Sequence, residues 1–457
     1  MVFSSITFIY YFLPILLFIY FLVPSKFKNV VLLIFSLLFY IYGEPKYIWI
    51  LILSCLVNYV FGLLVEKRKK KVYLVLDIVF NISLLCYFKY TNFFLQNING
   101  LFNTNISLFN IVMPIGISFF TFQTMSYVID VYRGMKADKN FFTFATYVCL
   151  FPQLVAGPIV RYKDIKEELK SRTHSFKLFA EGVKRFVIGM GKKVLIANTI
   201  GEMCKILFNL PNPSVLAYIL IAIGFTVQIY FDFSGYSDMA IGLGKMFGFN
   251  FLENFNYPLI ASSVTDFWRR WHISLSSFFR DYVYIPLGGN RVSKIKLFRN
   301  ILVVWLLTGF WHGAAWNFIL WGLFFAFFLL LEKFLYKDFL DKHKILGHIY
   351  TLILVVISFV IFNADSMGYI GNFLKSLFGF NNLPFTNFET NYYFRSYFVL
   401  IVLSIIGSTP IIRVIASKIK GTVIYNTLEI VIILGLLLVT TAFLIDASFN
   451  PFLYFRF

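Results

Sequence analysis

An all-α chain that crosses a membrane many times is the fold class this sequence predicts. Three observations carry it. Of 457 residues 59% are hydrophobic and only 14% charged, against about 25% charged in soluble domains. Apolar runs long enough to span hydrocarbon, about 20 residues each, recur along the chain. No Pro/Gly/Ser-rich linker interrupts them, so one polytopic domain over 1–457 is expected. The 59 Phe residues exclude intrinsic disorder. Cys55, Cys86, Cys149 and Cys204 are dispersed without a CxxC pair, which excludes a disulfide scaffold and reads as small buried hydrophobes.

Taken in order, the opening stretch Val2 to Val23 lacks a basic leader and a small-residue cleavage site, so it is expected as a retained first span, Ile6 to Val23. Ile48 to Val65, Tyr73 to Phe88, Val215 to Phe231, Ile301 to Leu331, Tyr350 to Phe362, Tyr397 to Ile412 and Val423 to Ile445 follow as spans. Val30 to Tyr42 stops before Gly43-Glu44-Pro45, and Ile111 to Ile129 carries Pro114 and Gly116. Broken or re-entrant helices are tolerated at such places only when buried in protein or lining a wet cavity. The total expected is about 11 transmembrane helices plus re-entrant and interfacial ones. No inverted internal repeat is visible, which lowers the prior for a secondary transporter.

Lys and Arg in short loops remain cytoplasmic, which puts Lys67 to Lys71 inside. Walking backwards brings Lys26 and Lys28 inside and the N-terminus outside. Walking forwards, the uncharged Thr91 to Asn110 lies outside, and Arg133, Lys136 and Lys139 return inside. Arg413, Lys418 and Lys420 flank the last span internally, so the tail Asp446 to Phe457 faces outward. Arg161 to Lys193 holds ten Lys/Arg against four Asp/Glu, with Phe176, Phe179, Val183, Phe186 and Val187 at helical spacing. It reads as an amphipathic helix on the inner surface, held by anionic lipid or by a docking partner.

Two stretches carry chemistry. Ile301 to Leu331 is too long for one span, and glycines flank its middle, so a break is expected near Gly309 to Gly313, where His312 sits. An ionisable group at membrane depth is costly and marks a functional site by default. The alternative is a core histidine satisfied by backbone carbonyls. Small neighbours (Gly309, Gly313, Ala314, Ala315) admit a substrate, Trp311 and Trp316 can wall a pocket, and an imidazole with ordinary pKa of about 6.5 can relay a hydroxyl proton. The second stretch, Asp266 to Ser276, carries His272 beside Trp268, Arg269, Arg270 and Trp271. Its arginines repeat near helical spacing with Arg280, which suits a planar anion-binding face; headgroup snorkelling is the plainer alternative. Asp232 and Asp238, just past an apolar span, are six residues apart and share no helical face. They read as buried anchors needing cationic partners such as these arginines, as do Asp130 with Arg133, and Gln153 in Phe151 to Pro158. There is no GxxxxGK[ST], HExxH or GxSxG motif. The histidines lack zinc-ligand spacing, and His174, His343 and His348 fall in charged loop contexts where exposure is expected.

At these residues the sequence resembles the membrane-bound O-acyltransferase superfamily, in its alginate O-acetylation branch. The matching motifs are Met113 to Gln123 with Ser126 to Gly134, Phe151 to Pro158, Phe231 to Asp238, Asp266 to Leu275 and Trp311-His312-Gly313, a core lying within 111–322. The opening Met1 to Ser5 and the closing Asn450 to Phe457 are similar too. The resemblance implies that His312 is the catalytic histidine and His272 the second active-site position. Arg269, Arg270, Trp268, Trp271, Trp311, Asn317 and Gln153 are expected to bind donor or line the site, with no metal. It further implies a helical funnel open to both faces, acetyl-CoA or another acyl thioester as cytoplasmic donor with no bound cofactor, and a polysaccharide acceptor outside. A separate extracytoplasmic acetyltransferase often receives the group. Membrane lipids, not nucleic acid, are the expected surroundings, in the cell membrane.

The same fold with other cargo would be a D-alanyl exporter for teichoic acid, which resembles a sister branch and takes its donor from an acidic carrier protein, or a lysophospholipid acyltransferase. A transporter or channel without covalent chemistry is the rival from another class. The net charge of +19 divides accordingly: Lys67 to Lys71 and Arg413 to Lys420 set topology, while Arg161 to Lys193 and Arg269 to Arg299 line the side an anionic donor enters. Neutralising Arg269 and Arg270, or raising salt, is therefore expected to weaken donor use more than membrane insertion, measured as thioester turnover against membrane-fraction yield. Equal loss of both would return this face to lipid anchoring.

Overall fold

The computed structural model describes residues 2–155 and 157–446. The closing motif Asn450 to Phe457 and the tail expected to face outward thus lie outside the described residues, apart from Asp446, as do Met1 and Ala156. The described residues form helices, turns and loops with no strand. Among the described residues seven helices are long and apolar enough to cross a membrane: Ser25–Gly43, Pro45–Arg68, Lys71–Phe102, Val215–Met246, Trp316–Lys342, Lys344–Phe362 and Val423–Asp446. Phe388–Gly407 and Ile411–Ile419, bent by 66°, make an eighth if counted as one span. The difference from about eleven has identifiable causes. Phe8–Leu22 is apolar but short. Ile117–Tyr132 begins only after Pro114 and a left-handed Gly116 (φ 75°), so the Ile111 to Ile129 run is not helical throughout. Lys294–His312 takes several cations into its first turns.

Two compact units result, Met1–Phe186 with Tyr236–Leu252, and Val187–Gly235 with Glu253–Phe457. In the first, aromatic rings fill the space between helices: Phe3 stacks on Tyr236 at 4.5 Å, and Phe39 meets Phe151 at 5.5 Å. Apolar side chains give helices little reason to associate in lipid, so polar groups join them. Asn81 Nδ2 donates to Asn58 Oδ1 at 2.9 Å, and Thr124 Oγ1 donates to Asn81 Oδ1 at 3.3 Å.

The second unit holds the first part of a long helix, Val215 to Gly235, and a helical hairpin. The window of Val215–Met246 is 78% buried, whereas that of Val423–Asp446 is 6% buried, so the former is a core element and the latter a peripheral one. The hairpin pairs Lys294–His312 with Trp316–Leu331, the break falling just past the glycine-flanked stretch read from sequence. A Cβ on Gly309 would strike the Phe318 carbonyl oxygen, and one on Gly322 would strike that of Trp305. The two backbones touch because neither position has a side chain.

Several sequence expectations are corrected here. Arg161 to Lys193 is two helices, Tyr162–Lys170 and Phe176–Gly191, separated at 171–175. Ser171 and Thr173 leave the helical pattern, and Phe176 is exposed while Phe186 and Val187 are buried. The helix expected to end at Phe231 continues to Met246, so Asp232 and Asp238 lie inside it. Cys86 is exposed, although Cys55, Cys149 and Cys204 are buried. His348 lies within Lys344–Phe362 and faces the Ala261 carbonyl at 3.1 Å.

Gly309→Leu and Gly322→Leu are each expected to lower the melting temperature of the detergent-solubilised protein, by an overpacking cost of about 1–3 kcal/mol. Gly100→Leu, at a position with open space around it, serves as the control.

Candidate active site

The site grows from two chain reversals in the second unit. Val264–Arg270 is opened by Ser263, whose Oγ accepts from the Asp266 N–H at 3.0 Å. Glu332 secures the same end: its carboxylate accepts from the Val264 N–H at 2.5 Å, the Thr265 N–H at 3.0 Å and the Thr265 hydroxyl at 2.9 Å. A carboxylate is favourable there because the first N–H groups of a helix have no internal partner. The helix stops at Trp271, and His272 takes a left-handed conformation (φ 44°) before Ile273–Phe279 begins. Such backbone is uncommon for a residue with a side chain and gathers at functional sites.

Asn254 holds this reversal. Its Oδ1 accepts from the Ser274 N–H at 3.2 Å and the Ser274 hydroxyl at 2.9 Å, and lies 3.3 Å from His272 Nδ1. Its backbone carbonyl accepts from the Ile273 N–H at 3.0 Å. His272 and Asn254 are fully buried. Burial, with the His312 ring nearby, holds the His272 imidazole well below its ordinary pKa, so it stays neutral.

His312 closes the other reversal, as the last residue of its helix. Its Nδ1 lies 2.8 Å from the Thr308 carbonyl oxygen. A carbonyl only accepts, so Nδ1 carries the hydrogen and the lone pair sits on Nε2, the tautomer of a general base. Trp311 contacts both imidazoles, its ring 5.8 Å from His272 and 4.9 Å from His312, both steeply inclined. Trp321 at 4.8 Å and Phe362 at 5.5 Å complete the wall around His312. Asn317 acts through this wall by donating to the Phe362 carbonyl at 3.0 Å. Phe233 packs on His272 at 4.7 Å.

His272, His312, Trp311, Asn317, Trp268 and Trp271 are thus gathered in one unit. The tryptophans and the arginines beside them point in different directions. Trp268 packs inward on Trp305 and Trp321, and Trp271 on Phe267 and Phe359. Arg269 is exposed, and Arg270 bonds both oxygens of Asp266 at 3.0 Å. A seven-residue helix sends its apolar positions to the core and its cations the other way. The acidic anchors also have partners other than these arginines. Asp232 pairs with Lys193 at 2.5 Å, and Lys193 donates to Asn198 Oδ1 at 2.9 Å. In the first unit Asp238 pairs with Arg185 at 2.8 Å, and Asp130 with Lys163 at 3.2 Å and Arg133 at 4.0 Å. Gln153, also in the first unit, is fully buried and donates to the Tyr147 carbonyl.

Sequence reasoning missed Asn254 and Glu332. Asn254 lies in a loop with no periodicity, and its one signal is the general preference of Asn for bonding nearby backbone. Glu332 reads as the polar end of an apolar run.

A helical chain with several membrane-crossing segments and two buried imidazoles at its reversals has the character of a membrane-embedded transferase. Residues 136–368 match the profile described as MBOAT, membrane-bound O-acyltransferase family. The chain is 37% identical to the probable alginate O-acetylase AlgI of Azotobacter vinelandii, covering 100% of both chains. It is 43% identical to the probable alginate O-acetylase AlgI of Pseudomonas aeruginosa, over 83% of this chain and 75% of the relative. A peptidoglycan O-acetyltransferase of Helicobacter pylori is 34% identical over 84% of this chain and 81% of its own length. The chain belongs to the membrane-bound O-acyltransferase family and is a multi-pass O-acyltransferase.

Asp232 immediately precedes Phe233, so its ion pair with Lys193 supports the packing on His272. Lys193→Met alone is expected to destabilise the protein by about 3–5 kcal/mol, because a buried carboxylate loses its cation. Lys193→Met with Asp232→Leu should recover most of the melting temperature.

Proposed function

We propose that this enzyme moves an acetyl group from a cytoplasmic acyl thioester, acetyl-CoA, for O-acetylation of a polysaccharide outside the cell membrane. The observation that carries the reading is the Nδ1 bond of His312 to the Thr308 carbonyl at 2.8 Å, which leaves Nε2 as the base. In the proposed reaction Nε2 takes the proton of an attacking hydroxyl while its oxygen bonds to the thioester carbonyl carbon. The tetrahedral intermediate then expels the thiolate, which recovers the proton from the imidazolium. His272, held by Asn254 and stacked edge-on against Trp311, orients the reacting groups and supports the oxyanion. Its neutral state matters, because a second cation beside His312 would oppose formation of the imidazolium.

The names of the relatives, alginate O-acetylase and peptidoglycan O-acetyltransferase, support acetyl as the cargo and an extracytoplasmic polysaccharide as the final acceptor. A funnel reaching the histidines from both faces, both termini outside and a separate extracytoplasmic acetyltransferase complete the proposal. The orientation rests on the basic block Lys67 to Lys71 remaining inside.

In membranes supplied with labelled acetyl-CoA, His312→Ala is expected to lower label transfer by about 10²–10⁴ fold, the usual contribution of a positioned base, with unchanged membrane yield. His272→Ala should lose about 10²–10³ fold, comparable to removal of one oxyanion donor. Envelope glycans still acetylated in the His312→Ala strain would sink the assignment. Label taken only from a D-alanyl carrier protein would move the cargo to D-alanine.

A further inference from the structure

The first unit contains a cluster of cations that lies outside the unit holding His272 and His312. Arg172 and His174 lie in the linker between Tyr162–Lys170 and Phe176–Gly191, and Tyr20 draws both toward Lys28. The Tyr20 hydroxyl donates to the Phe247 carbonyl at 2.9 Å, so it accepts from Arg172 Nε at 3.2 Å and faces His174 Nε2 at 2.9 Å. Lys28 Nζ lies over the Tyr20 ring at 4.9 Å and the Phe21 ring at 5.3 Å, and the Arg172 guanidinium over the Phe249 ring at 4.4 Å. Aromatic faces hold these cations without neutralising them. Among the described residues neither Lys28 nor Arg172 has a carboxylate partner within ion-pair distance.

Beside the cluster opens a groove of about 380 Å³, lined by Phe21, His174, Phe176, Phe179, Lys245 and Met246. Its volume falls in the range of ligand sites. Lys245 in this lining is paired with Glu181 at 3.0 Å. The charge without a carboxylate is therefore that of Lys28 and Arg172, which reach the groove through their neighbours Phe21 and Tyr20, and the groove itself is a slot of mainly aromatic and aliphatic surface. Burial, with Lys28 and Arg172 close by, lowers the His174 pKa, which keeps this imidazole a hydrogen-bonding group and leaves the charge to its neighbours.

We propose that this groove binds an anionic phospholipid, its phosphate held by Lys28 and Arg172 and part of an acyl chain lying between Phe21, Phe176 and Phe179. Charge complementarity selects an anion, and the adjoining apolar slot selects one that carries hydrocarbon. An acidic protein would instead meet a broad polar face. Lys28 belongs to the basic side of the chain, where the leaflet is itself anionic. The bound lipid would tie the first helices to the 171–175 linker and so fix the angle between the two helices that the linker joins.

The test titrates the full-length protein in detergent with dioctanoyl phosphatidylglycerol and dioctanoyl phosphatidylcholine, reading bound lipid by native mass spectrometry. Phosphatidylglycerol should bind about tenfold more tightly, and Lys28→Gln should cost it about fivefold, the usual worth of one basic residue at an anionic surface. Phe176 is 88% exposed, so Phe176→Glu leaves the packing intact while setting a negative charge in the slot; it should weaken phosphatidylglycerol at least as much. Equal affinity for the two lipids, or unchanged phosphatidylglycerol binding in both variants, overturns the proposal. So does displacement of the lipid by inorganic phosphate at equal concentration, or by coenzyme A or an acidic carrier protein that binds there more tightly.

Discussion

The hydrogen bond from His312 Nδ1 to the carbonyl of Thr308, four residues earlier on the same helix, sets the condition for everything around it. In hydrocarbon a polar group must find its partner within the protein, and an imidazole has two nitrogens to satisfy. By committing one of them to the backbone, the helix end decides which nitrogen can exchange protons. The same bond aligns the ring with its helix, so whatever places that helix places the imidazole.

Two further layers do this placing. Gly309 and Gly322 let the hairpin backbones meet without intervening side chains, and Trp321 and Phe362 close on the imidazole from the helices that follow. His272 is placed by different means, since its reversal depends on polar anchors: Asn254 inside the turn and Glu332 at the start of the preceding helix. The helix of His312 is thus set by backbone packing, and the turn of His272 by hydrogen bonds. Trp311, against both rings, is where the two supports meet.

What the sequence made legible was local. An uncharged run too long for one span, with glycines about its centre, is enough to locate the break and His312, because the length of a span is fixed by bilayer thickness. The partners of charged residues were not legible. Asp232 was read toward the arginines near His272, whereas its cation is Lys193, hidden in a basic stretch that resembles a membrane-surface helix. Asn254 lies 18 positions from His272, and a loop amide has no periodicity to expose it. The tryptophans beside Arg269 and Arg270 illustrate the same limit: spacing gives neighbours along a helix, but the core chooses which way each one points. The pair Phe388–Gly407 and Ile411–Ile419, bent by 66°, shows that apolar length alone does not make a straight crossing.

The Val423–Asp446 helix is 24 residues long, with only 6% of its apolar window covered by protein. At about 1.5 Å per residue it extends roughly 36 Å, more than the ~30 Å of a typical hydrocarbon layer. The surplus must be absorbed by leaning or by local thickening of the bilayer. Since lipid is its principal neighbour, this edge of the enzyme is adjusted by the thickness of the host membrane, and acyl-chain length in the bilayer becomes one of the conditions under which the helix finds its place.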